Sequence, residues 1–154
     1  MEFLDVLKNR HSCRSFDSNK KIEPDKLQYI FDCINMAPSA GNLKAYNIYK
    51  VINPVDKKLF SAFCSYQLFI SDADVILVFC NDKLKNYEKY SQRGENLYCI
   101  QDATIAASYA QLAAAEIGLS SCWIGAFHES YIIKYLNLHT GEIPVVVLPV
   151  GYSK

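Results

Sequence analysis

Apolar and polar positions change period several times along this chain, and each change marks an element. Residues 2–9 put Phe3, Leu4 and Leu7 on one side of a short helix. After a polar stretch over 17–23, Pro24 opens a second helix, where its missing N–H is harmless. Leu27, Ile30, Phe31 and Ile34 then recur at helical spacing. Pro38 ends that helix, because the residue before a proline is steered away from the helical region. Ser39-Ala40-Gly41-Asn42 is a turn of small residues. A strand over 46–52 and a helix from Pro54 to about Cys64 follow. The continuous apolar run over 73–80 fits a strand buried on both faces. Residues 81–95 are polar and read as a loop with some helix. The longest helix spans 97–117. Its alanines at 103, 106, 107, 110, 113, 114 and 115 favour helix and thin its walls, so another backbone or a flat ligand can come close. Gly118 is placed to cap it. A short strand or extended segment over 121–124 breaks at Gly125. A helix over 128–138 turns Tyr131, Ile132 and Tyr135 inward, and 142–150 is the last strand.

Helices and strands alternate irregularly, which predicts an α+β fold with a mixed sheet rather than a doubly wound parallel one. The 154 residues suit one domain over 1–154, with no repeat and no linker. Sixteen basic residues balance sixteen acidic ones, so no charge excess points to nucleic acid. No apolar run approaches the roughly 20 residues of a membrane span, and no secretory signal opens the chain. None of the six cysteines forms a CxxC pair, and several sit in apolar runs. A cytoplasmic protein without disulfides is expected. His11, His128 and His139 lie far apart, none with a metal partner at helical spacing, so no metal site is expected. GxGxxG, P-loop and GxSxG patterns are absent.

Three stretches carry candidate chemistry. Arg10-His11-Ser12-Cys13-Arg14-Ser15-Phe16 places two of the three arginines four residues apart. Two guanidiniums, a hydroxyl and an imidazole suit a phosphate and the polar edge of a planar ring; the same residues also suit a solvated helix end. Ala37-Pro38-Ser39-Ala40-Gly41-Asn42 ends a helix and offers an amide whose donor and acceptor match a pyrimidine-like edge; it reads equally as a plain turn. Gly118-Leu119-Ser120-Ser121-Cys122-Trp123-Ile124-Gly125-Ala126-Phe127 sets the only tryptophan before small residues whose backbone N–H groups a ring could approach. A core tryptophan ahead of a turn is the alternative.

Taken in order, the three stretches resemble the nitroreductase family of FMN-binding oxidoreductases. Gln101-Asp102-Ala103 and Val147-Leu148-Pro149-Val150-Gly151-Tyr152 also fit it. The resemblance covers nearly the whole chain. It implies a three-layer α+β fold, with a mixed, mostly antiparallel sheet flanked by helices, in an intertwined homodimer with two FMN sites at the interface. By position, Arg10, His11, Ser12 and Arg14 match the family's first FMN motif, which holds phosphate and ribityl oxygens. A cation at Arg14, near the flavin N1/O2 edge, would stabilise the charge that arrives on reduction. Pro38, Ser39, Ala40 and Asn42 match the motif lent by the other subunit. Trp123, Ile124, Gly125 and Ala126 match the segment passing the ring, with the N–H groups of Gly125 and Ala126 facing O4 and N5.

The resemblance also implies the reaction. Hydride would pass from NADH or NADPH to flavin N5 and on to an electron-poor acceptor such as a nitroaromatic or quinone, by a ping-pong scheme. No side chain is required as a catalytic acid. The alternatives on this fold are a non-catalytic flavin-binding or storage protein and a flavin-modifying relative. Many family members continue past the last strand into a tail with a phosphate-binding cation, a role Lys154 would fill here. Typical members also carry an excursion that narrows the pocket, so a more open site is expected.

Overall fold

A strand in which every residue is buried runs through the middle of the molecule, and the rest is layered around it. The computed structural model describes residues 1–154. The helices are α1 (Phe3–Asn9), α2 (Pro24–Asn35), α3 (Pro54–Phe63), α4 (Leu84–Arg93), α5 (Cys99–Glu116) and α6 (Glu129–Leu136). The strands are β1 (Tyr46–Val51), β2 (Val75–Asp82), β3 (Ser120–Ser121) and β4 (Glu142–Gly151). They form one sheet in the order β1-β2-β4-β3, every neighbour antiparallel. An isolated parallel bridge, Ser12 to Ser121, adds the N-terminal segment.

Alternation along β2 creates two cores. Val75, Leu77 and Phe79 face α2 and α5, packing against Ile30, Ile34 and the buried alanines of α5. Ile76, Val78 and Cys80 face the other way, toward Phe60, Cys64 and Ile132 of the α3 and α6 side. A sheet covered on both faces makes its central strand continuously apolar, which is why the 73–80 run was legible. The alanines of α5 keep that helix close to the sheet. Opposite them, a bulge between Phe79 and Cys80 shifts the register, so Phe79 pairs with Val146 and Cys80 with Pro144.

The helix after β2 is fuller than the polar sequence suggests. Residues 84–93 form a helix kinked at Ser91, whose φ is +50°, and lead through a π-turn at Gly94–Tyr98 into α5. Leu84, Tyr87 and Tyr90 recur at helical spacing, but the surrounding residues are polar and only Asn86 of α4 is buried. The inward reading of α6 holds for Ile132 alone. Tyr131 is 55% exposed and Tyr135 37%. Their rings pack at the rim, Tyr131 against Phe63 and Tyr135 edge-on to Phe60 with centroids 5.3 Å apart. In α1 only Val6 is buried, while Phe3, Leu4 and Leu7 are exposed. No helix is long and apolar enough to cross a membrane.

Candidate functional site

The segment after α1 is stitched to the far side of the sheet from both directions. Cys13 donates its N–H to the Ser121 carbonyl at 3.0 Å, Asp17 to Tyr152 at 2.8 Å, and Lys154 to Ser15 at 3.0 Å. Residues 12–17 therefore run between β3 and the segment following β4. Phe16, fully buried against Ala73 and Phe69, anchors this run. Fixing the backbone here leaves the polar side chains on either side of Phe16 at the surface.

Two of those side chains are cations without protein partners. Of the three arginines only Arg93 has a side-chain hydrogen bond, to the Tyr98 hydroxyl at 3.0 Å. Arg10, whose N–H closes α1 on the Val6 carbonyl, and His11 line a small crevice with Ser120 and Ser121. The His11 ring bonds the Asn9 carbonyl through Nδ1 at 2.9 Å. Arg14 lines a separate cavity of about 520 Å³ with Lys58, Phe69, Asp72 and Lys154. Lys154 Nζ lies 3.9 Å from Asp72. Burial pushes the Cys122 thiol up and the Arg14 guanidinium opposes that shift, so the cation sits within electrostatic reach of the 121–124 segment.

That segment leaves the sheet in two steps. Cys122 donates to the Pro149 carbonyl, and Ile124 exchanges both backbone bonds with Val147. Trp123 is half-buried against the α2–α5 core. Pairing then stops. Gly125 and Ala126 are exposed, and neither donates its N–H within the chain. A Cβ built on Gly125 would meet only Trp123 Nε1, at 3.8 Å, so open space lies over this backbone. Free guanidiniums and free N–H groups on bridged segments are the donor set that phosphate and carbonyl oxygens require, so these residues fit FMN.

The second predicted motif lies elsewhere. Pro38, Ser39 and Ala40 line a cavity of about 530 Å³ with Tyr98, Gln101 and Asp102. The buried Asp102 carboxylate accepts the N–H of Ala40 at 2.9 Å and of Ala45 at 3.3 Å, and the Ser39 hydroxyl accepts from Lys44. Gly41, Asn42 and Lys44 have positive φ, which these anchors hold in place. Asn42 is exposed. Within one chain the first and third stretches meet and the second does not join them. Lys58 and Asp72, which line the Arg14 cavity, had no signal in the sequence; an outward lysine on α3 looks like any other.

Comparison with known families decides the relationship. A family described as Nitroreductase family matches residues 7–68 and 50–152. The chain belongs to the nitroreductase family. It is 22% identical to the FMN reductase (NADPH) of Bacillus subtilis strain 168, over 97% of this chain and 65% of that protein. It is 27% identical to the oxygen-insensitive NADPH nitroreductase of Helicobacter pylori strain J99, over 98% of this chain and 74% of that one. This nitroreductase-family chain thus spans about two thirds to three quarters of the length of these relatives. Among solved structures, NfrA2 of B. megaterium superposes with a TM-score of 0.90 at 24% identity, covering all of this chain and 67% of its own. A nitroreductase family protein from Clostridium novyi NT gives 0.87 at 27%, covering all of this chain and 86% of its own. These likenesses establish the nitroreductase fold.

Proposed function

We propose that this chain is an FMN-dependent oxidoreductase that takes hydride from NADH or NADPH and passes it to an electron-poor acceptor such as a nitroaromatic or quinone. One observation carries the reading. The Arg10–Phe16 segment, with two unpartnered guanidiniums, is bridged directly to the Ser121–Ala126 segment, which ends in two free backbone N–H groups. Bound FMN supplies the hydride chemistry, at its N5. Arg10, His11, Ser12 and Lys154 hold phosphate and ribityl oxygens. Arg14 sets a positive charge at the pyrimidine edge, and the N–H groups of Gly125 and Ala126 orient the ring. Trp123 and Ile124 fix the backbone that presents those groups. No side chain serves as acid or base.

Pro38, Ser39, Ala40 and Asn42 complete the site from a second copy of the chain. Two features support a homodimer. The 38–42 turn lines its own cavity, away from Arg14. Large apolar side chains are also left uncovered: Phe3 is 67% exposed, Leu4 61% and Met36 75%.

Anaerobic titration tests the reading. The purified protein loaded with FMN should lose its yellow absorbance on addition of NADH or NADPH and regain it on addition of a quinone. A protein that takes up no FMN overturns the proposal. One that stays yellow with both nicotinamides is a flavin carrier, and one whose flavin spectrum never returns is a flavin-modifying relative.

A further inference from the structure

At the opposite end of the sheet from the proposed flavin site, three ligating side chains from separate elements meet. Asp82 is the last residue of β2 and Glu142 the first of β4, and they face each other in the antiparallel register. Both are 4% exposed. His139, from the turn between α6 and β4, reaches over them. Its Nε2 lies 3.2 Å from Asp82 Oδ2 and 3.4 Å from Glu142 Oε2. We propose that Asp82, His139 and Glu142 form a binding site for a divalent transition-metal ion of the Zn²⁺ class.

The hydrogen bonding of the imidazole carries the argument. His139 Nδ1 lies 2.9 Å from the Thr140 carbonyl oxygen. A carbonyl only accepts, so Nδ1 carries the hydrogen, and in the neutral ring the Nε2 lone pair points at two carboxylate oxygens. Three electron-rich atoms then converge on one point; Asn47 Nδ2 donates to Asp82 Oδ2 at 3.1 Å and the His139 backbone N–H to Glu142 Oε2 at 3.3 Å, and a proton on Nε2 or a metal ion supplies the positive centre between the three.

Geometry and charge favour the metal. The three ligand atoms lie within 4.8 Å of one another. Bonds of about 2.0–2.1 Å to a tetrahedral Zn²⁺ put neighbouring ligands about 3.4 Å apart, close to the two N···O distances here. Two buried carboxylates side by side repel. A proton on the imidazole leaves the cluster at net −1, whereas a divalent ion brings it to neutrality. The nearby cation, Lys85, donates instead to the Tyr46 carbonyl and to Asn47 Oδ1. The carboxylates are held in orientation by Asn47 Nδ2 on both, by the Tyr49 hydroxyl on Glu142 at 2.8 Å and by the Leu84 N–H on Asp82 at 3.1 Å. A ring nitrogen bonded to a backbone carbonyl and oriented carboxylates are the supports metal ligands use. His139 is 46% exposed, which leaves a side open for entry and for a water as fourth ligand. The ion would tie the ends of β2 and β4 to the α6–β4 turn, a stabilising rather than a redox role.

The test is calorimetric titration of the chelator-treated full-length protein with ZnCl₂, with melting temperature read in parallel. The expected result is one Zn²⁺ bound per chain and a melting temperature raised by Zn²⁺ and restored by chelator. His139→Ala and His139→Gln should each weaken binding by at least about tenfold while keeping the wild-type circular dichroism. Cys33→Ser, which changes the most accessible thiol, should bind as wild type. Absence of Zn²⁺ binding to the wild-type protein, binding unchanged in both His139 variants, or binding lost in Cys33→Ser overturns the proposal. None of these readouts depends on flavin.

Discussion

Arg14 shows what a single side chain contributes to the site and what its neighbours must withhold. It is exposed, has no carboxylate partner and shares its cavity with Lys58, Lys154 and Asp72, the last 3.9 Å from Lys154. Three cations against one carboxylate leave the cavity net positive, which suits an anion. Arg14→Ala should weaken FMN binding about 10- to 100-fold, the equivalent of one charge-assisted hydrogen bond of about 1.5–3 kcal/mol. Titration of flavin fluorescence measures it, and an unchanged affinity would remove Arg14 from the site. The cysteines obey a different rule. Five of six are buried, and burial alone pushes Cys64 up to about 12; Cys80 also reaches about 12, chiefly by burial and secondarily through Glu142. The thiolate is the reactive form. At pH 8 a chromogenic disulfide reagent should therefore titrate at most one thiol, Cys33, before unfolding, and none in Cys33→Ser.

Elements hold their ends by local devices that can be broken singly. At the close of α5 the Leu119 N–H reaches back to the Ala114 carbonyl at 2.8 Å and the Gly118 N–H to Ala115 at 3.3 Å, around a Gly118 with φ of +78°. This is a Schellman cap, and it aims the chain into β3 and the Trp123 segment. A Cβ on Gly118 would meet nothing within 4 Å, so the cost of Gly118→Ala is purely conformational. About 1 kcal/mol of stability should be lost, and less in Gly118→Asn, because asparagine tolerates the left-handed region. Urea midpoints at constant slope report the difference. Asp102 is the second device. Removing its carboxylate strands the N–H groups of Ala40 and Ala45, so Asp102→Ala should cost roughly 2–4 kcal/mol and Asp102→Asn less, since one acceptor survives. Loss of stability without release of the 39–45 segment, read by amide exchange, would contradict this account of the anchor.

At the scale of the whole molecule, the proposed homodimer must cover the exposed apolar side chains of α1. If a second copy covers them and lends the 38–42 turn, then assembly and cofactor binding must fail together. Phe3→Glu combined with Leu4→Glu should shift the sedimentation of the protein from dimer to monomer and weaken FMN binding in parallel. A monomeric variant that binds FMN as tightly as the parent would show that one chain suffices.

The sequence alone carried the elements whose burial is one-sided or complete. The apolar run at 73–80, the helical spacing from Leu27 to Ile34 and the alanines of α5 each report a direct relation between a residue and the nearest core. The family, too, was readable from three ordered motifs. Polar α4 was read only as a loop with some helix, because the side chains at its helical spacing, Leu84 and Tyr87, end at the surface and not in the core. The fate of Tyr131, which depends on how far α6 overhangs Phe63, was not readable. Tertiary structure alone decided which distant residues meet. Ser12 lies beside Ser121 because both flank one sheet edge, and Asp82 faces Glu142 across a strand register 60 residues in the making, beneath a histidine that sequence spacing had left without partners. The physical reason is the same in each case: periodicity encodes which side of an element is buried, whereas the pairing of polar groups is set by register and packing, which no local window contains.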